Sequence, residues 1–148
     1  MTDLWPKTIG TVKKKSPVAI LREQASLLGQ KTQNLLQAQV KGGPAVDRGT
    51  SFFYYFDIVA PALDNYKYEL FTIEHDIMFY PLIIFVENDI YLEIEKLNKF
   101  EQTTDDTFEI KSEKEFLEIL KVILGSEKTR RIVIALLSQL DSNLLSDH

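Results

Sequence analysis

Between Ser16 and Val40, Leu21, Leu28 and Leu35 stand seven residues apart, with Val18 and Ala25 on the same face of a helical wheel. Ser16 followed by Pro17 reads as a helix start: the hydroxyl caps a free amide, and proline has no amide to lose there. The pattern predicts a long helix from Ser16 to about Val40, ended by Gly42, Gly43 and Pro44, with a loop over Lys41–Gly49. The stripe is too short for a free-standing coiled coil, and Thr32 and Gln39 occupy two of its positions. It packs against the chain's own sheet or pairs with a second copy. The residues through Lys15 lack sustained periodicity and read as an arm or a short edge strand.

The texture then changes. Phe52, Phe53, Tyr54, Tyr55 and Phe56 follow one another, and such aromatic density suits a largely covered strand over Ser51–Val59. Pro61 and the pair Asp64-Asn65 mark a turn. Tyr66–Glu74 alternates, with Tyr66, Tyr68, Leu70 and Thr72 on one face and Lys67, Glu69, Phe71 and Ile73 on the other. Two apolar pieces, Ile77–Tyr80 and Leu82–Glu87, flank Pro81, which reads as an edge or a bulge because proline cannot donate to a ladder. Residues 90–95 read as a strand after a turn at Asn88-Asp89; a helix from an Asp89 cap with Ile90, Ile94 and Leu97 inward is the alternative. Glu101–Asp106 is a polar loop and Thr107–Lys111 a short strand.

Two helices close the chain. Ser112 with Glu115 is a capping-box pair opening a helix to Leu124, with Phe116, Ile119, Leu120 and Ile123 inward and Gly125 at its end. Ser126 opens a second helix to about Leu140, and Asp141–His148 reads as a frayed tail. Strands followed by helices make an α+β fold: a long N-terminal helix, an antiparallel sheet of three to five strands, and two C-terminal helices on one face. At 148 residues this is the size of one domain.

Composition narrows the function classes. The chain has no cysteine, which removes disulfides and thiolate chemistry and favours the reducing cytoplasm. No apolar run is long enough to cross a membrane. The formal charge of −5 is unevenly spread: residues 1–50 carry a net +5 and residues 51–110 a net −10. An acidic body argues against nucleic acid as the partner. The basic clusters are Lys13, Lys14 and Lys15 before the first helix, which are candidate anion contacts, and Arg130 with Arg131 in the last.

Catalytic signals are weak. His75 lies between Glu74 and Asp76, and with Asp57 these form the only polar group worth naming as a site. Neighbours on a strand point to opposite faces, so the two carboxylates do not share His75's side. His148 is terminal, no serine sits in a nucleophile elbow, and Gly42-Gly43-Pro44 lacks the ending of a phosphate loop. No metal or cofactor is expected. Ten of the sixteen aromatic residues fall between Phe52 and Tyr80, and Tyr54, Tyr66 and Tyr68 would form a binding surface if exposed. The sequence therefore reads as a non-enzymatic protein-interaction module, an adaptor, accessory subunit or inhibitor that binds another protein or a second copy of itself. Its candidate contacts are Leu21, Leu28 and Leu35 with those three tyrosines. A small metal-dependent hydrolase or nuclease working through the carboxylates near His75 is the alternative, and nucleic-acid binding through the basic arm a third reading.

Overall fold

A computed structural model describes residues 1–10, 14–45, 51–104 and 106–146, with residues 104 and 141–146 described by backbone alone. Lys13 lies outside the described residues. The elements are α1 (Pro17–Lys31), β1 (Gln37–Pro44), β2 (Phe52–Ala60), β3 (Tyr66–His75), β4 (Leu82–Val86), α2 (Asn88–Lys96), β5 (Glu101–Thr104), β6 (Thr107–Ile110), α3 (Glu113–Leu124) and α4 (Glu127–Ser146). The fold is α+β, with four helices and one antiparallel sheet of six strands in the order β1-β2-β3-β4-β6-β5. Six strands exceed the three to five expected.

The helix starts follow local chemistry. Ser16 Oγ accepts from the Ala19 amide at 3.2 Å, and Ser112 Oγ from the Glu115 amide at 3.2 Å. Ser126 Oγ accepts from the Thr129 amide at 3.2 Å, while Thr129 Oγ1 donates to Ile123 O at 2.7 Å. One buried hydroxyl pair thus closes α3 and opens α4. That last helix extends to Ser146, beyond the expected end at Leu140.

Several expectations are corrected. First, α1 stops at Lys31. Thr32 Oγ1 lies 2.9 Å from both Leu28 O and Leu36 O and accepts from the Leu36 amide, and Gln33 and Asn34 turn the chain with φ of 53° and 64°. Left-handed φ at two residues ends a helix as firmly as glycine, and asparagine tolerates it. Leu35 therefore lies beyond the helix. Gly42, Gly43 and Pro44 end nothing; they are the last residues of edge strand β1. A proline there leaves no ladder amide missing on the inner side.

Second, residues 88–96 are helix α2, not a strand, with Ile90, Tyr91 and Ile94 buried and the first turn opening from Glu87. The alternative helical stripe was the physically correct one in Ile90 and Ile94; Leu97 is exposed. Glu101–Thr104 is not a loop but the outermost strand, β5. Only one of the two apolar pieces around Pro81 is a strand. That strand, β4, is interior, between β3 and β6, and Pro81 precedes it in a cis peptide with Tyr80, so it marks neither an edge nor a bulge.

Third, β3 carries a bulge. Phe56 pairs with Phe71, but Asp57 pairs with Glu69, so Leu70 is the extra residue. Leu70 and Phe71 are consecutive and both 2% exposed. The bulge flips the expected alternation: Tyr66 and Tyr68 share a face with Phe71 and Ile73, not with Thr72.

Every helix packs on one face of the sheet. That face presents Phe56 and Ile58 of β2, Phe71 and Ile73 of β3, Leu82 and Ile84 of β4, and Phe108 and Ile110 of β6, all 2% exposed or less. Leu21 of α1, Tyr91 of α2, Phe116 of α3 and Leu136 of α4 belong to the same core. The core continues to the end of the sheet through Tyr80, whose ring meets Phe116 at 6.4 Å.

Candidate functional site

The register places the other face in rows. Across the strands from β1 to β5, the first row reads Gly43, Phe53, Glu74, Ile83, Glu109, Glu101, and the second Lys41, Tyr55, Thr72, Phe85, Thr107. Among the described residues no helix packs on this face. The Phe53 ring meets Tyr55 at 5.3 Å and Phe85 at 5.8 Å. Phe53, Ile83 and Phe85 are half-buried and Tyr55 is 39% exposed. Thr72, 7% exposed, sits in the row between Tyr55 and Phe85. Glycine at position 43 leaves the first row open at its β1 end. Four large apolar side chains thus stand on a sheet face that no helix covers among the described residues, and apolar groups of this kind mark interaction surfaces.

The same end of the sheet carries a second apolar feature. In the β3–β4 connection Asp76 Oδ1 accepts from the Met78 amide at 2.8 Å, and the Tyr80 amide donates to Met78 O at 2.9 Å across Phe79, whose φ is 74°. An aromatic at positive φ is an outlier that needs holding. Phe79 is held edge-on against His75, with ring centroids 5.8 Å apart. The result is a fixed turn that displays Ile77 and Met78, 70% and 75% exposed.

The polar group around His75 is divided. His75 is buried on the helix side, stacked on Phe52 and Tyr54, and its Nδ1 meets Asp76 O at 2.7 Å. A carbonyl only accepts, so Nδ1 carries the proton and Nε2 is a buried nitrogen without a partner in the described structure. Glu74 and Asp57 lie on the opposite face, and Asp76 in the turn. No group of three or more metal-ligating side chains occurs among the described residues.

Asp57 is 8% exposed on the open face. Burial pushes its carboxyl above the ordinary value, and Glu69 adds to this against the opposing pull of Lys41 and Lys67. A raised carboxyl pKa means that the folded chain holds its proton where the unfolded chain has lost it, so stability falls as pH rises through that window. Asp57→Asn is therefore expected to raise the melting temperature at pH 7. The gain should vanish near pH 3, about where the wild-type carboxyl is protonated in both states. Thermal melts at the two pH values check this; equal gains at both would mean that charge is not the cause.

The remaining candidates are placed as follows. Leu21 is fully buried in the chain's own core and Leu28 half-buried against it, so with Leu35 outside the helix there is no free leucine stripe. Tyr54 is on the helix side. Tyr66 and Tyr68 line a cleft of about 390 Å³ with Leu63 of the β2–β3 turn and Ile132, Leu136 and Gln139 of α4. Tyr68 donates to Glu87 Oε2 at 2.6 Å, and burial and then this bond push its pKa up to about 12. Lys15 pairs with Glu23 at 2.8 Å, Lys14 is exposed, and Arg130 and Arg131 both reach Glu127. What the sequence reading missed is the patch itself: Phe53, Tyr55, Ile83 and Phe85, with Ile77 and Met78 at its end. No helix among the described residues is long and apolar enough to cross a membrane. Compared with family profiles, curated proteins and solved structures, the chain matches none.

Proposed function

We propose that this chain is a protein-interaction module that docks another polypeptide on the open face of its sheet. The observation that carries the reading is the group Phe53, Tyr55, Ile83 and Phe85, in which the Phe53 ring meets those of Tyr55 and Phe85, on a face that no helix covers among the described residues. Tyrosine and phenylalanine supply much contact area for little lost side-chain freedom, which is why they anchor interfaces. Glu74 and Glu109 stand in the same row as Phe53 and Ile83, so a partner that brings apolar side chains together with basic ones fits best.

The test is capture by the tagged full chain, comparing wild type with Tyr55→Glu and with Tyr66→Glu on the helix side. A charged residue in the patch should weaken retention of a stoichiometric partner at least tenfold, roughly 1.4 kcal/mol, while Tyr66→Glu retains it. Equal melting temperatures show that the variants are folded. Retention unchanged by Tyr55→Glu would remove the open face from consideration.

A further inference from the structure

On the helix side of the sheet a cavity of about 310 Å³ opens between α1 and α4, over the Leu70 bulge. Gln24, Leu27, Leu28 and Lys31 line it from α1, at the spacing i, i+3, i+4 and i+7 that makes one helical face. Phe56, Ile58 and Leu70, each 2% exposed, form its floor, and α4 contributes Val133 to its wall. The end of α1 thus faces an unfilled apolar space, which leaves Leu28 half-buried and Leu27 38% exposed. In a chain with 22 acidic residues, no carboxylate lines this cavity among the described residues. Lys31 is the charged group that lines it, and Gln24 stands at the other end of the α1 face. Neither of these two side chains has a hydrogen bond or ion pair among the described residues.

We propose that this cavity binds a straight-chain monocarboxylate of about eight carbons, its tail on Phe56, Ile58 and Leu70 and its head at Lys31. The proposal goes beyond the docking reading, since the open face lies on the other side of the sheet. Size is the first argument: small-molecule sites are mostly apolar hollows of this volume with a few polar groups. Allowing each heavy atom about 30 Å³, a water's share of liquid volume, the cavity holds on the order of ten. Shape is the second. Gln24 and Lys31 stand roughly 10 Å apart along the helix with both leucines between them, an apolar track with a polar group at each end. Charge is the third: one ammonium offsets one carboxylate, whereas a second negative charge would lie unpaired against apolar walls. A cationic head would meet Lys31 with no carboxylate to offset the repulsion. An adjoining hollow of about 370 Å³ shares Gln24 and Leu124 and has Lys121 as its own cation, which supplies a neighbouring control.

Calorimetric titration of the full chain with straight-chain carboxylates from butanoate to decanoate tests the proposal. Affinity should rise about fourfold with each added methylene and stop rising near octanoate, when the cavity is full. Octanoate should bind with a Kd on the order of 100 µM, as suits a ligand of ten heavy atoms. Octanedioate, whose second carboxylate enters the apolar end, should bind about tenfold more weakly or worse. Lys31→Met keeps much of the stem and removes the charge. It should weaken octanoate about two- to fivefold, the scale of an exposed ion pair, and leave 1-octanol unchanged. Lys121→Met should change neither. Leu27→Trp fills the cavity from its exposed mouth and Val133→Phe from α4, and each should cost about tenfold in affinity, with melting temperatures showing that the variants are folded. Tyr55→Glu on the open face should leave octanoate binding as it is, so the docking reading and this site fail separately.

No heat, and no shift of the Leu28, Leu70 and Val133 methyl resonances, at about 5 mM octanoate overturns the proposal. Affinity that keeps climbing through decanoate overturns it too, by placing the chain on an open surface. Binding that survives both Leu27→Trp and Val133→Phe in folded protein has the same consequence. An equal response of octanoate and 1-octanol to Lys31→Met overturns the anionic head. A loss on Lys121→Met in place of Lys31→Met overturns the assignment of the head to this cavity.

Discussion

Gly42→Ala is expected to destabilise the fold by about 3 kcal/mol and lower the melting temperature by roughly 10 °C. Gly42 lies within β1 at φ 124°, a backbone region that residues with a Cβ rarely adopt. A methyl there would stand 2.0 Å from Phe53 O and 3.0 Å from Tyr54 Cα. Neither obstacle is the far end of a flexible side chain; both are backbone of the adjacent strand. The edge strand must therefore lift from β2, and the loss falls on the pairing of Lys41–Pro44 with Phe52–Tyr55. Gly43→Ala, with no atom within 4 Å of the added carbon, should cost clearly less. Thermal melts of both variants check the contrast, and amide exchange in β2 locates it. If 42–44 were a helix terminator, the two substitutions would be nearly equivalent. A mild Gly42→Ala would remove β1 from the sheet. The same substitution bears on function, because Lys41 and Gly43 border Tyr55 and Phe53 at the edge of the open face.

How much of this was legible in the sequence depends on whether local chemistry or long-range packing decides each element. Ser16, Ser112 and Ser126 cap their helices through hydroxyls three residues from the amides they satisfy, and such short-range signals survive in one sequence. Strands β2, β3 and β6 were legible because their β-branched and aromatic density is itself the signal. Residues 88–96 were not, since Ile90, Tyr91 and Ile94 fit a strand or a helix until Phe108 supplies the ring against which Tyr91 stacks. Strand β5, Glu101–Thr104, has no apolar side at all; it exists because β6 offers it a ladder, and pairing leaves no mark on composition. The end of α1 was obscured by Gln33 and Asn34, which adopt the backbone usually assigned to glycine.

The site was obscured for two related reasons. Phe52–Phe56 is apolar at every position, so its alternation cannot show which residues face the helices. The Leu70 bulge then exchanges the faces of Tyr66 and Tyr68 relative to Thr72, and nothing in Glu69-Leu70-Phe71 announces an extra residue. Tyr54, Tyr66 and Tyr68 lie on the helix side of the sheet, not on its open face. Tyr55 and Phe53, one residue to either side of Tyr54, carry the uncovered patch. Helix position decides the matter, and that is set by contacts such as Leu136 with the far ends of the strands, not by spacing along β2.

The second large effect tests the placement of α2. Phe108 of β6 is fully buried, and its ring stacks on Tyr91 with centroids 4.9 Å apart and planes at 29°. Phe108→Ala removes a ring from a site bounded by β4, β5 and a helix, none of which can collapse freely, so the loss is expected at about 4 kcal/mol. That corresponds to a fall in melting temperature of roughly 10–15 °C for a domain of this size. Tyr91→Ala should cost less, about 3 kcal/mol, because Tyr91 is 7% exposed at the helix surface. The two losses should not add: a double-mutant cycle is expected to return a coupling of about 1 kcal/mol for the stacked pair. Denaturant melts of the four proteins measure it. Were residues 90–95 a strand of the sheet, Tyr91 and Phe108 would lie in the same layer and only a β-pair coupling of a few tenths, about 0.3 kcal/mol, would remain. Thr107 and Glu109, the neighbours of Phe108, point to the open face. A Phe108→Ala protein that is still folded at low temperature should therefore keep the patch while its helix side loosens, which separates the stability of the scaffold from the chemistry of the surface it presents.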